Sequence, residues 1–210
     1  MSNEALKQAF APRYTVSLES AANGETVVER EYEIYGTIED TGVLAAATGT
    51  EFQEQWGMPC NEGAEYGIFG NIRVRKTTKG ENEVEHTQTI KVKEEEGNDE
   101  NEIEIGEATF DIFKKLVPNG LLKTRYFFPV PDSELIFQVD VFQDTNGVQC
   151  MKVKIDLEVP EGVVIDQVTL PFKLTDVRVI KPGKKGPEDT DFVRSLFSKH
   201  YESTNPYYIK

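Results

Sequence analysis

LLKTRYFFPVPDSELIFQVDVFQD, residues 121–144, reads as two strands joined by a turn at Pro129 to Ser133. Charged or amide side chains recur at every second position, Lys123 and Arg125 on the first strand and Gln138 and Asp140 on the second, with apolar and aromatic residues between them. A period of two puts alternate side chains on opposite faces of a strand, so each strand has one charged and one apolar face.

The pattern recurs outward from this pair. Towards the N-terminus Asn23-Gly24 is a hairpin signal, and the run after it sets Glu29, Glu31 and Glu33 on one face against Arg30, Tyr32 and Ile34. Further on, Arg73 and Arg75 oppose Ile72 and Val74, and Thr87, Thr89, Lys91 and Lys93 oppose Gln88, Ile90 and Val92. Glu102 and Glu104 alternate with Ile103 and Ile105. Beyond a second hairpin signal at Asn146-Gly147, Lys152, Lys154, Asp156 and Glu158 alternate with Val153, Ile155, Leu157 and Val159. Leu174 to Ile180 is one more strand candidate.

Helical spacing is rarer. Residues 43–55 suggest a helix, with Trp56 just beyond it as core packing. ATFDIFKKLVPNG sets Ala108, Ile112, Phe113 and Leu116 along one side and is stopped by Pro118 and Gly120. A last amphipathic helix over about 190–202 presents Phe192, Val193, Leu196 and Phe197. KEEEGNDENEIEIGE, Lys93 to Glu107, is expected to begin as a solvated acidic loop, and KPGKKGPED as a flexible one.

Composition bounds the function. The 210 residues, 38% hydrophobic and 10% aromatic, suffice for one domain with a sizeable core, here about 12–180 plus the last helix. No apolar run approaches the length of a membrane span, and MSNEALKQAFAPRY lacks the marks of a secretory signal. The two cysteines, Cys60 and Cys150, have no paired spacing. The expectation is a cytoplasmic protein with free thiols. A net charge of -14 opposes general duplex nucleic-acid binding, which needs a basic surface. His86 and His200 lack metal spacing, and Cys150 has no histidine beside it to activate it.

About eight strands alternating charged with apolar suggest an α+β protein built on an eight-stranded antiparallel β-barrel, because closure removes sheet edges and forces one face inward. With the charged face inward, the lining becomes Arg73, Arg75, Lys91, Lys93, Lys123, Arg125, Lys152 and Lys154 beside Glu29, Glu31, Glu33, Glu102, Glu104, Asp140, Asp156 and Glu158. Charges so confined must pair or hold ligands. The cations suit a polyphosphate, and the carboxylates suit the hard divalent ions that accompany one.

These segments resemble a known family. Lys123 to Tyr126 with Val139 to Phe142 is similar to the central block of the CYTH superfamily, the triphosphate tunnel enzymes. Glu29 to Glu31 resembles its N-terminal acidic motif. Ile72 to Arg75, Thr89 to Lys91 and Glu102 to Glu104 resemble its next three strands in order. The resemblance, spanning Val27 to Glu158, implies a triphosphate tunnel with Mg2+ or Mn2+ as cofactor. Glu29, Glu31, Lys91 and Arg125 would be catalytic, and Arg73, Arg75, Lys91, Lys123, Arg125, Lys152 and Lys154 would bind phosphates. Glu29, Glu31, Glu102, Glu104, Asp140, Asp156 and Glu158 would hold metal. The family's pattern has lysine where Glu33 stands, an acid at Gln138, and a Glu-x-Glu pair that the count from Gly147 places on Lys152 and Lys154.

Three functions fit these residues. The first is a metal-dependent triphosphatase acting on an RNA 5' end, a nucleotide or inorganic triphosphate. The second is a degenerate tunnel that binds or sequesters a phosphorylated ligand, and the third an acidic interaction scaffold, with oligomerisation open in each case.

Overall fold

The computed structural model describes residues 14–17, 30–58, 72–80, 83–94, 97–117, 120–143, 149–159 and 167–180. The Asn23-Gly24 and Asn146-Gly147 turns, Glu29, Cys60, KPGKKGPED, the final helix and His200 lie outside them. Eleven strands are described: β1 (Tyr14–Ser17), β2 (Arg30–Ile38), β3 (Gly49–Met58), β4 (Ile72–Lys79), β5 (Glu83–Glu94), β6 (Gly97–Glu104), β7 (Gly120–Pro129), β8 (Ile136–Gln143), β9 (Gln149–Val159), β10 (Gln167–Leu170) and β11 (Leu174–Ile180). One α-helix, α1 (Glu107–Leu116), and a 3-10 turn, Thr41–Ala46, accompany them. No described helix is long and apolar enough to cross a membrane.

The protein is thus mainly antiparallel β with little helix. Nine strands follow a linear hydrogen-bonded order, where eight in a closed ring were expected, while β1 and β10 pair separately. The chain divides into two compact units that share β7, β8 and β9.

In the first unit the order is β11-β2-β9-β8, with the second half of β7 beyond. β2 meets β9 in a register that sets Glu31 opposite Glu158, Glu33 opposite Asp156, Tyr35 opposite Lys154 and Thr37 opposite Lys152. The intervening Tyr32, Ile34 and Ile38 therefore share a face with Leu157, Ile155 and Val153. All six are buried, together with Phe137, Val139 and Val141 of β8. The expected turn after β7 is present: Val130 N donates to Leu135 O at 2.8 Å, with Asp132 at φ 57°. At Gly36 a Cβ would lie 3.0 Å from Leu174 Cβ, so glycine there lets β11 approach β2.

In the second unit the order is first half of β7, then β3-β4-β5-β6. Residues 49–55, the second half of the expected 43–55 helix, belong instead to strand β3. TGVLAA is only long enough for a 3-10 turn, capped by Asp40, whose Oδ1 accepts from Gly42 N at 2.8 Å, and the alternation of TEFQEQW then favours pairing with β4. The acidic run is also corrected: it supplies the end of β5 and all of β6. Its register explains why, since β6 sets Glu104, Glu102 and Glu100 opposite Thr87, Thr89 and Lys91, and acids opposite donors or cations are tolerated in a ladder.

α1 forms between Gly106 and Val117, with Glu107 in its first turn and Lys114 and Lys115 in its last, a distribution that complements the helix dipole. Val117 before Pro118 is extended, as a residue preceding proline prefers. The buried side of α1 differs from the expected one. Phe110 packs with Trp56, Val74 and Val117, with Phe113 partly buried against them, while Ile112 and Leu116 are exposed.

Candidate functional site

The polar face of the first unit is built by register. Glu31, Glu33 and Tyr35 project from β2 on the side where Lys154, Asp156 and Glu158 project from β9. One carboxylate oxygen from each of Glu31, Glu33 and Asp156 lies within 4.8 Å of the others. The same three side chains flank the Lys154 ammonium: Nζ is 2.7 Å from Asp156 Oδ1, 3.0 Å from Glu33 Oε1 and 3.6 Å from Glu31 Oε1. Asp156 is buried, Glu33 and Lys154 are largely so, and Glu31 is half open to solvent.

The surroundings tune these groups. Burial by itself would lower the Lys154 pKa. The charges of Asp156 and Glu33, with Tyr35 and Glu31 behind them, outweigh that and raise it well above the usual lysine value. Burial pushes the Tyr35 hydroxyl up, partly countered by Lys154, and this protonated hydroxyl donates to Glu33 Oε2 at 3.1 Å. Further along the face Gln138 Nε2 donates to Glu158 Oε1 at 3.2 Å.

Three carboxylates brought this close are a hard-oxygen donor set, which suits a hard cation better than a soft one. Of the residues expected to hold metal, Glu31 and Asp156 belong to this group. Glu33 joins them, although the sequence comparison gave it the family's lysine position. The readable signal is that Glu31 and Glu33 form a Glu-x-Glu pair beginning one alternation later than Glu29; that they face Glu158 and Asp156 comes from the register alone. Glu102, Glu104, Asp140 and Glu158 do not enter a three-ligand group among the described residues. Glu102 is exposed and accepts from Thr89 Oγ1 at 2.8 Å. Asp140 is buried within β8, and Glu158 is exposed.

The second unit has its own polar face. Register aligns Gln55, Arg75 and Thr87 in one row and Arg73, Thr89 and Glu102 in another. Arg75 Nε donates to Gln55 Oε1 at 3.0 Å, which fixes the guanidinium against a buried amide. The hydroxyl of Thr87 is buried and makes no hydrogen bond to the described residues. Lys123 is buried and Arg125 half-buried on β7; Lys91 lies in the last third of β5, opposite Glu100. Lys152 is exposed on β9 of the first unit.

The opposite side of the second unit is structural. Trp56 is buried, its Nε1 donates to Glu54 Oε1 at 2.9 Å, and Lys114, ion-paired with Glu54, stands 5.1 Å from the ring centroid. The expectation that Trp56 packs in the core holds. His86 is half-buried, with its ring centroid 5.2 Å from that of Phe110.

No family model matches the chain, and no curated protein matches it in sequence. Among solved structures, the chain is similar to a putative adenylyl cyclase from Hippeastrum described as having a dominant triphosphatase activity, at 15% identity and a TM-score of 0.38, over 64% of this chain and 80% of that one.

Proposed function

We propose that the protein is a metal-dependent triphosphatase that removes the terminal phosphate of an RNA 5' end, a nucleotide or inorganic triphosphate. The observation that carries this reading is the convergence of Glu31, Glu33 and Asp156. One ammonium, that of Lys154, stands among three carboxylates, so the cluster keeps negative charge that suits a divalent ion. The motif resemblance supplies the substrate class, and the eight-stranded closed tunnel remains part of this reading rather than of the described strand order.

Glu31, Glu33 and Asp156 would hold Mg2+ or Mn2+, which when bound supplies charge neutralisation at phosphate oxygens. The chain's own cations do the rest. Arg73, Arg75, Lys123 and Arg125 are assigned to phosphate oxygens, with Lys91 as a further cation on β5. A guanidinium held by an amide, as Arg75 is by Gln55, is preorganised, so it lowers the barrier without first being ordered by substrate. The Thr87 hydroxyl provides a neutral donor on the same face.

The test is phosphate release from inorganic triphosphate, nucleoside triphosphates and 5'-triphosphorylated RNA with Mg2+ or Mn2+, comparing the native protein with Glu33→Gln and Arg125→Ala. Metal-dependent release that falls on the order of 10²-fold in each variant is expected. The absence of release from every substrate, with triphosphate binding that Arg125→Ala removes, would refute hydrolysis in favour of a binding protein.

A further inference from the structure

Lys154 does not match the chemistry assigned to its surroundings. A metal site has no use for an ammonium, yet the Lys154 Nζ lies between 2.7 and 3.6 Å from one oxygen of each of the three carboxylates that would hold the ion. Those same side chains make up the metal-compatible group. A divalent ion held by the same side chains would have to share them with the ammonium, and two cations confined to one cluster repel. The lysine and the metal therefore exclude each other.

The surroundings show that the lysine is held there as a cation. Its ammonium is within ion-pair distance of all three acids, 2.7 Å from Asp156, 3.0 Å from Glu33 and 3.6 Å from Glu31. Tyr35 sits opposite Lys154 across the β2-β9 ladder and hydrogen-bonds the second oxygen of Glu33, so the carboxylate keeps its aim on the ammonium. Without a cation at this point, Glu31, Glu33 and Asp156 would repel one another. Lys154 removes that cost.

We propose that Lys154 is a displaceable internal counter-cation: it occupies the carboxylate cluster in the metal-free protein, competes with the divalent ion, and is released towards the anionic ligand when the ion binds. Two consequences follow. The affinity for metal is set below what three carboxylates alone would give, because each binding event must eject an ammonium. Metal and anion also bind with positive coupling, because an anion that draws Lys154 away vacates the cluster for the ion, and linkage makes the effect reciprocal. This rests on the assignment of Glu31, Glu33 and Asp156 as the metal-holding group.

The test uses the full chain and Mn2+ alone, followed by calorimetry and by the loss of the free-ion EPR signal. Lys154→Gln should bind one Mn2+ at least about ten-fold more tightly than the native protein, and adding Asp156→Asn to it should abolish the gain. Equal or weaker affinity in Lys154→Gln would overturn the proposal. A second measurement needs no loss of charge: in native protein carrying 13Cε-lysine, the resonance that Lys154→Arg removes should shift as Mg2+ is added. Metal binding detected by calorimetry with that resonance unmoved would also overturn it. The two readings fail separately, since a gain in Mn2+ affinity without phosphate release from any substrate leaves the competition standing and removes the triphosphatase.

Discussion

Gly120→Ala should destabilise the second unit by about 3 kcal/mol, a figure that comes from one contact. A Cβ at residue 120 would lie 2.2 Å from Trp56 Cε3 and 2.3 Å from Cζ3, whereas carbon atoms rest at about 3.5–4.0 Å. The indole must move by more than an ångström, and it is not free to do so. It is buried, tied to Glu54 through Nε1 and covered by Lys114. Overpacking costs about 1–3 kcal/mol, loss of the hydrogen bond about 0.5–1.5 and loss of the cation–π contact about 0.5–1. The reduced freedom of the unfolded alanine chain returns about 0.4–1.

Trp56 is the sole tryptophan of the chain, so its emission reports this site directly. Urea unfolding followed by that emission should give the lower midpoint, a Tm about 6–12 °C lower at the usual 2–4 °C per kcal/mol for a chain of this size, and a red-shifted native spectrum. Gly49→Ala is the control, because its Cβ would rest at an ordinary 3.6 Å from Phe127 Cδ2, and a change within about 0.5 kcal/mol is expected. A loss below about 1 kcal/mol with an unshifted spectrum would refute the close packing of β7 on Trp56.

Two further outcomes are expected. Phe137 is fully buried in the first unit, so Phe137→Ala should cost about 3–5 kcal/mol, measured as a fall in the urea midpoint; a cost under 1 kcal/mol would remove it from the core. Because Lys154 and Tyr35 both have raised pKa values in the folded state, the stability they confer is complete below their unfolded values of about 10.4 and 10 and is lost as pH rises above them. The groups facing them are Glu31 and Glu33 on β2, Lys152, Asp156 and Glu158 on β9, and Arg178 on β11. The stability advantage of native protein over Lys154→Met should therefore shrink above about pH 10.5, and an advantage constant from pH 8 to 11.5 would contradict the ion cluster.

The fold was legible wherever one side chain decided each position. In β2, β8 and β9 a period of two separates charged from apolar residues, and the apolar faces are buried: Tyr32 and Ile34, Phe137 and Val139, Ile155 and Leu157; β4 and β7 depart from it, with Val74 and Thr77 buried on opposite faces of β4 and the charged Lys123 buried on β7. Legibility failed where a segment's partner decides its state. The alternation in TEFQEQW is weak, because polar residues occupy both faces, and pairing with β4 settles it as strand. The acidic stretch of β6 looks solvated until Thr87, Thr89 and Lys91 stand opposite its acids. In α1 the helix was readable, but which side turns inward depended on where Trp56 and Val74 lie.

The site shows the same boundary at higher resolution. Sequence spacing places Glu31, Glu33, Lys154 and Asp156 on charged strand faces, yet it cannot place β2 against β9. Counting from Gly147 put the lysines where acids were expected and made the late strand look stripped of metal ligands. The register sets Asp156 opposite Glu33 and Lys154 opposite Tyr35, so Lys154 stands beside the carboxylates of Glu33 and Asp156. A shift of two residues keeps every side chain on its face. Hydrophobic patterning is therefore blind to which acids and which lysine meet across β2 and β9, and only the ladder decides it.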